Sequence, residues 1–250
     1  MVNLLQALIL AIIQGLTEWL PISSSGHLVI AQQLFGIKAS VSFNVILHFG
    51  TLLAVIYFLR RDLLKLLKFD RESRQLLAHI IIGSLPLAFF GLLLKSFFES
   101  LFSSLLAVGL ALLANGTILY STKFFRPKRK LNLLDSFAIG LAQIFSLAPG
   151  ISRSGITIST ALMRKLEKKE AYKFSFLLSI IAILGASLLK FGKIDFSQEP
   201  IEIVLAGILT SAIFGYIALK TIAKTVLEGN FYKFAYYCWI VGAIILLLSL

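Results

Sequence analysis

Residues 41–59, 76–94, 102–122, 172–189, 201–219 and 234–250 form stretches of about 17 to 21 residues with almost no charged side chain. At a helical rise of about 1.5 Å per residue, each reaches across a hydrocarbon layer of about 30 Å. Six such stretches confine the chain to a membrane, because water cannot solvate that much apolar surface. Backbone N–H and C=O groups in hydrocarbon must bond internally, so each stretch is expected as a spanning helix.

Composition points the same way. The chain of 250 residues is 58% hydrophobic and 14% charged, with a mean hydropathy of +0.91, which excludes an ordinary soluble domain. The formal net charge of +12 would suit nucleic acid, but Lys and Arg fall in short clusters between apolar runs. That is the pattern of membrane topology, and no nucleic-acid partner is expected. A single cysteine, Cys238, leaves neither a disulfide framework nor a thiolate metal cluster, and it is expected to face lipid or to be packed. The apolar N-terminus lacks a basic leader and runs into Gln14 and Glu18, so the first segment is expected to remain in the mature protein.

Two other apolar regions, 2–36 and 131–164, are each broken near the middle by Pro, Gly and Ser. Broken helices at membrane depth are tolerated where the freed backbone faces protein or a wet cavity, so both read as re-entrant helical hairpins. A shift of 129 residues lays Gln14 on Gln143, Ser23-Ser24-Ser25-Gly26 on Ser152-Arg153-Ser154-Gly155, and 41–59 on 170–188. The chain thus reads as a single all-α membrane domain made of two copies of one unit, 1–122 and 131–250. Each copy has one hairpin and three spans, and an odd number of crossings makes the repeat inverted.

Basic residues orient it. Loops 60–75, 123–130 and 164–173 carry six, five and five Lys or Arg, and the proposed topology puts them on one face, which the positive-inside rule makes cytoplasmic. Both termini are then expected outside, with the first hairpin dipping from the outer face.

The densest polar cluster within apolar sequence is Gln14-Gly-Leu-Thr-Glu18-Trp-Leu-Pro21-Ile-Ser23-Ser24-Ser25-Gly26-His27. Gln14 and Glu18, four apart, share one helical face. Pro21 and the serines suit a break followed by a new helix N-terminus, where hydroxyls and unpaired N–H groups gather around an anion. Taken singly, these residues need only cap and pack. An ionisable Glu in an apolar segment is costly, however, and usually marks a functional site. The second cluster is Ala148-Pro149-Gly150-Ile151-Ser152-Arg153-Ser154-Gly155. Arg153 is its cation, with a planar fork matched to phosphate. If the two hairpin tips meet, Glu18, Ser24, His27 and Arg153 share one pocket. The expected substrate contacts are then Gln14, Ser23, Ser25, Gly26, Gly150, Ser152, Ser154 and Gly155. His48 and His79 are expected as packed or interfacial histidines, Asp135 as the start of a helix, and Asp195 and Glu199 as solvated.

At Gln14-Gly-Leu-Thr-Glu18, Leu20-Pro21-Ile-Ser-Ser-Ser-Gly-His27 and Pro149-Gly-Ile-Ser-Arg153-Ser-Gly155 the chain resembles the undecaprenyl-pyrophosphate phosphatase family associated with bacitracin resistance. Length and hydropathy match throughout. The resemblance implies an integral enzyme of the bacterial plasma membrane that removes the terminal phosphate of undecaprenyl diphosphate and returns the carrier to cell-wall synthesis. Its functional positions fall on Glu18, Ser24, His27 and Arg153. It also implies a divalent cation, Mg2+ or Ca2+, although Gln14, at a position where the family has Glu or Gln, cannot ionise, which weakens a carboxylate-pair metal site.

Chemically, Arg153 is expected to clamp phosphate and Ser24 to attack, with His27, three residues on, as base or leaving-group acid and Glu18 orienting it or holding the ion. His27 or water as nucleophile is the competing version. A transporter or flippase of a lipid phosphate or other anion is the rival class, since opposed broken hairpins also build alternating access. A phosphatidic-acid phosphatase type is disfavoured because no His follows residue 79. The expected partners are a polyprenyl diphosphate and membrane lipids, and a homodimer is compatible with the sequence.

Overall fold

The computed structural model describes residues 2–37, 39–126, 128–191 and 200–249; Asp195 and Glu199 lie outside them. Every extended element among the described residues is a helix, and an isolated bridge between Arg129 and Leu166 is the one β contact. Five helical spans are long and apolar enough to cross a membrane: α5 (Arg71–Leu93), α7 (Leu105–Ser121) continued by a 3-10 turn to Phe124, α10 (Lys168–Phe191), α11 (Ile201–Glu228), and α12 (Phe234–Ser249) led in by a 3-10 turn from Phe231. A sixth forms if α3 (Val41–Phe58) and α4 (Arg60–Leu66), bent by 74° to each other, count as one span. Each overlaps an expected stretch. α11 runs nine residues past its expected end at 219, through Lys220 and Lys224, and stops at Gly229, whose left-handed backbone (φ 79°) caps it. The apolar run ends where long basic side chains can reach water, but the helix need not end there.

The two broken regions are also resolved into helices. The first gives α1 (Leu4–Trp19) and α2 (Ser24–Leu34), and the second gives α8 (Leu133–Gln143), a 3-10 turn at Ile144–Leu147, and α9 (Arg153–Met163). At about 24 Å for the longest of these and about 16 Å for α2 and α9, none crosses about 30 Å of hydrocarbon alone.

Helix pairing is reciprocal between the two halves. α1 and α3 of the first half pack on α11 of the second, α8 and α10 of the second pack on α5 of the first, and α7 packs on α12. Small residues allow the closest approaches. A Cβ on Gly140 of α8 would lie 2.3 Å from the Gly83 carbonyl oxygen of α5, and one on Gly242 of α12 would lie 3.0 Å from that of Gly109 on α7. Trp19, Leu52, Phe176 and Leu219, all buried, belong to the main apolar core, which holds α1, α3, α10 and α11 together.

The basic segments gather at one end. Lys128 and Arg129 N–H groups donate to the Lys165 carbonyl (2.8 and 3.1 Å) and Glu167 N–H returns to Arg129 O (2.9 Å). Lys173 donates to Asp62 at 2.6 Å, and Lys168 to Leu227 O at 2.9 Å. Asp135, fully buried, begins α8 in a capping box with Asn132 and binds both Arg129 (2.7 Å) and Arg164. It therefore does begin a helix, and it also ties the base of the second hairpin to two cations.

The α5–α8 crossing yields a prediction. Gly140→Ala should lower the melting temperature of the detergent-solubilised protein, by a loss of about 1–3 kcal/mol. Gly185→Ala should not, since a Cβ there meets nothing within 4 Å. An unchanged melting temperature in Gly140→Ala would mean that α5 and α8 can separate at no cost.

Candidate functional site

The two helix breaks interlock. Ser23 caps α2, accepting from Gly26 N–H at 3.3 Å, and Ser152 caps α9, accepting from Gly155 N–H at 3.1 Å. Ser23 Oγ also accepts from Gly150 N–H of the other break at 3.0 Å. Asn115, buried in α7, donates to Pro21 O at 2.8 Å and accepts from Ser152 N–H at 3.1 Å. Ser23 adopts φ 70°, a conformation that costs a non-glycine residue about 1–3 kcal/mol and that these bonds hold in place. Gly150 has φ 108°, and a Cβ there would collide with Ala111 and Val108 O, each at 2.6 Å.

Ser24 and Arg153 are thereby the first residues of two helices whose N-termini meet, and both line a cavity of about 390 Å³. The opening amides of each helix have no intrahelical carbonyl to bond, so the cavity sits at two positive helix ends. Ser23, Ser25 and Ser152 also line it, with Glu18, Asn44 and His48 opposite.

Glu18 is the hub. Ser24 Oγ donates to its Oε2 at 2.6 Å, and Gln14 Nε2 to the same oxygen at 3.0 Å. Arg153 Nη2 lies 3.5 Å from Oε1. A carboxylate oxygen only accepts, so the Gln14 amide must turn its nitrogen toward it. The same nitrogen lies 2.8 Å from His48 Nδ1. His48 Nδ1 also lies 3.4 Å from Glu18 Oε2. Arg153 Nη1 is buried and has no hydrogen-bond partner among the described residues, so the guanidinium keeps donor capacity for a ligand.

His27 sits differently from the expected Ser24–His27 pairing. Its Nδ1 bonds the Ser23 carbonyl at 2.7 Å and its Nε2 the Tyr237 hydroxyl at 2.8 Å, with the rings stacked at 5.6 Å. It is not on the cavity wall. Gln14 stands behind Glu18. Gly26, Gly150, Ser154 and Gly155, expected at the ligand, lie where the breaks pack: a Cβ on Gly26 would lie 3.2 Å from Gly150 and one on Gly155 3.1 Å from Asn115 Oδ1, and Ser154 Oγ lies 3.5 Å from the Leu20 carbonyl.

Sequence reasoning missed His48 and Asn115. Asn44, His48 and Thr51 recur at helical spacing along an otherwise apolar span, a polar stripe that signals a wet face. His79 bonds Ser136 at 2.8 Å, in keeping with a packed residue, and Cys238 is buried beside Asn115 at 3.3 Å. As to a metal, no group of three or more His, Cys, Asp or Glu converges among the described residues. Glu18, already bonded by Ser24 and Gln14 and faced by Arg153, does not form with its neighbours an oxygen cage for a divalent ion.

Fold and site together define a multi-pass membrane protein with a polar cavity where two broken helices meet. The chain belongs to the family of the bacitracin resistance protein BacA, whose model matches residues 7–244. It is 43% identical to the undecaprenyl-diphosphatase of Korarchaeum cryptofilum over 96% of this chain and 97% of that protein. For that of Carboxydothermus hydrogenoformans the identity is 41%, over 99% and 98%. For that of Methanosphaera stadtmanae it is 36%, over 100% and 99%.

Asn115→Ala would leave Ser152 N–H buried and unpaired and Pro21 O with only the weak Cys238 thiol donor, at 3.7 Å. It should destabilise the protein by about 1–3 kcal/mol, read as a lower melting temperature. Wild-type stability in this variant would show that the two breaks hold each other without the bridge.

Proposed function

We propose that the protein is an undecaprenyl-diphosphatase, hydrolysing undecaprenyl diphosphate to undecaprenyl phosphate and inorganic phosphate. The observation that carries the reading is the Ser24–Glu18–Arg153 constellation: a hydroxyl already donating to a buried carboxylate, beside a guanidinium with an unpaired donor. Full-length similarity to proteins of that name supports the same reading.

The terminal phosphoryl group binds Arg153 and the amides opening α2 and α9. These donors are preorganised where charge develops in the transition state. Ser24 Oγ attacks the terminal phosphorus and loses its proton to Glu18. The bond to the bridging oxygen breaks, and the lipid monophosphate departs with the electron pair and takes the proton from Glu18. Water then attacks the phosphoserine and gives its proton to the freed carboxylate. Ser24 Oγ leaves, recovers that proton, and inorganic phosphate is released. Gln14 and His48 hold Glu18 in register. His27 is a positioning residue: its Nδ1–H donates to the Ser23 carbonyl and fixes the left-handed turn that aims Ser24. A divalent cation would find Glu18 as its one carboxylate ligand among the described residues lining the cavity and would supply neutralisation of the phosphate charge.

The reciprocal packing of the halves and the 129-residue offset support an inverted repeat of re-entrant hairpins. The clustering of basic segments at one end supports a cytoplasmic assignment for that end. The cavity, flanked by the N-terminal half of α3, would then open on the outer face of the plasma membrane.

Phosphate release from undecaprenyl diphosphate by purified protein tests the reading. Ser24→Ala and Glu18→Gln should each lose about 10²–10⁴-fold in kcat, and Arg153→Lys about 10²–10³-fold. His48→Gln should lose less than Glu18→Gln. A phosphoryl adduct on His27 with none on Ser24 would overturn the assignment of the nucleophile. A well-folded wild type that releases no phosphate, with or without divalent ions, would favour a transporter.

A further inference from the structure

A second cavity, of about 520 Å³, lies between the C-terminal halves of α5 and α10 and the turn at Ile144–Leu147. It touches the first: Ser146, Leu147 and Arg153 line both. Its wall is otherwise of the opposite character, formed largely by aliphatic side chains such as Leu87, Leu92, Ile181 and Leu188. Leu92 and Leu188 are 59% and 73% exposed and lie within two of the membrane-spanning helices. The cavity therefore opens sideways between α5 and α10, toward hydrocarbon.

We propose that this cavity seats the first isoprenoid units of the substrate, with Arg153 at the junction of head and tail. The proposal rests on the lipid-diphosphatase reading and deepens it. A lipid diphosphate entering the polar cavity cannot draw its chain into water, since each methylene exposed would cost about 0.8 kcal/mol. The chain must leave the diphosphate along an apolar path that reaches the bilayer, and the second cavity is apolar, continuous with the first at Arg153 and open to lipid. Ser84 and Gln143 also line it, and each has a buried side-chain oxygen without a partner among the described residues. Two glycines keep the passage clear. A Cβ on Gly185 meets nothing within 4 Å, and one on Gly91 meets only Leu147, at 4.0 Å.

Because Gly185 borders open space, Gly185→Leu should fill the cavity without disturbing the fold, as an unchanged melting temperature would verify. Its KM for undecaprenyl diphosphate should rise at least about ten-fold, with kcat at saturation and the KM for methyl diphosphate unchanged. Equal loss on both substrates, or no loss on either, would overturn the proposal. A measurement independent of turnover is maleimide labelling of Gly185→Cys, in a chain whose single native cysteine, Cys238, is buried. Undecaprenyl diphosphate should slow the labelling several-fold, while inorganic pyrophosphate and phosphatidylglycerol at the same concentration should not. Equal protection by phosphatidylglycerol would make the occupant an ordinary acyl chain, and no protection by undecaprenyl diphosphate would place the prenyl chain elsewhere. Either result defeats the proposal. A wild type that releases no phosphate would defeat the phosphatase reading instead, and the labelling would still report on the cavity.

Discussion

Breaking a helix inside hydrocarbon frees backbone groups that have no water to bond, and each unpaired one costs several kcal/mol. Here one break answers the other. Ser23 and Ser152 each cap the helix that follows, Ser23 takes a further N–H from Gly150, and Asn115 joins the Pro21 carbonyl to the Ser152 amide. These bonds fix two helix N-termini against each other, and the cavity is the space in front of them. The close contact of Gly26 with Gly150 follows from the same demand, because the Ser23 hydroxyl cannot reach the Gly150 amide unless the two breaks come within a side chain's breadth.

With the two N-termini in place, the charges follow. A buried carboxylate is stable only when paired and hydrogen-bonded. Glu18 has Ser24, Gln14 and Arg153 for that purpose, but the ion pair at 3.5 Å is loose and Arg153 keeps an unpaired donor. A purely structural pair would close on itself. This one leaves a nucleophile donating to the carboxylate and a cation turned to the cavity, which is the economy of a site that awaits an anion.

Much of this was legible in the sequence because it depends on local composition. The six apolar stretches, the two breaks, Glu18, Ser24 and Arg153 all stand out as departures from apolar monotony or from helical continuity. What was not legible depends on which face of one helix meets another. Three residues on, His27 seemed the natural partner of Ser24, yet Tyr237, more than two hundred residues away, takes its ring. His48, like His79, looked like a packed histidine until α3 carried it to Gln14. The end of α11 escaped for another reason: hydropathy reports where lipid ends, whereas the helix continues until Gly229 permits a left-handed turn.

The two helix breaks share a capping pattern but not a chemistry, and the difference is readable residue by residue. At the 129-residue offset Ser24 corresponds to Arg153, so the paired N-termini supply a hydroxyl from one half and a guanidinium from the other. Glu18 corresponds to Leu147, His27 to Ile156 and His48 to Leu177. Had both halves kept the carboxylate, two buried anions would face each other across a cavity with one arginine, and neither could stay ionised while binding an anionic ligand. Leu147 removes that conflict and does more, for it borders both cavities. The position that is polar and reactive in the first hairpin is, in the second, the apolar partition where a charged chamber gives way to a greasy one. The two breaks thereby yield one site with two unlike ends, the arrangement that an amphiphile with a diphosphate head requires.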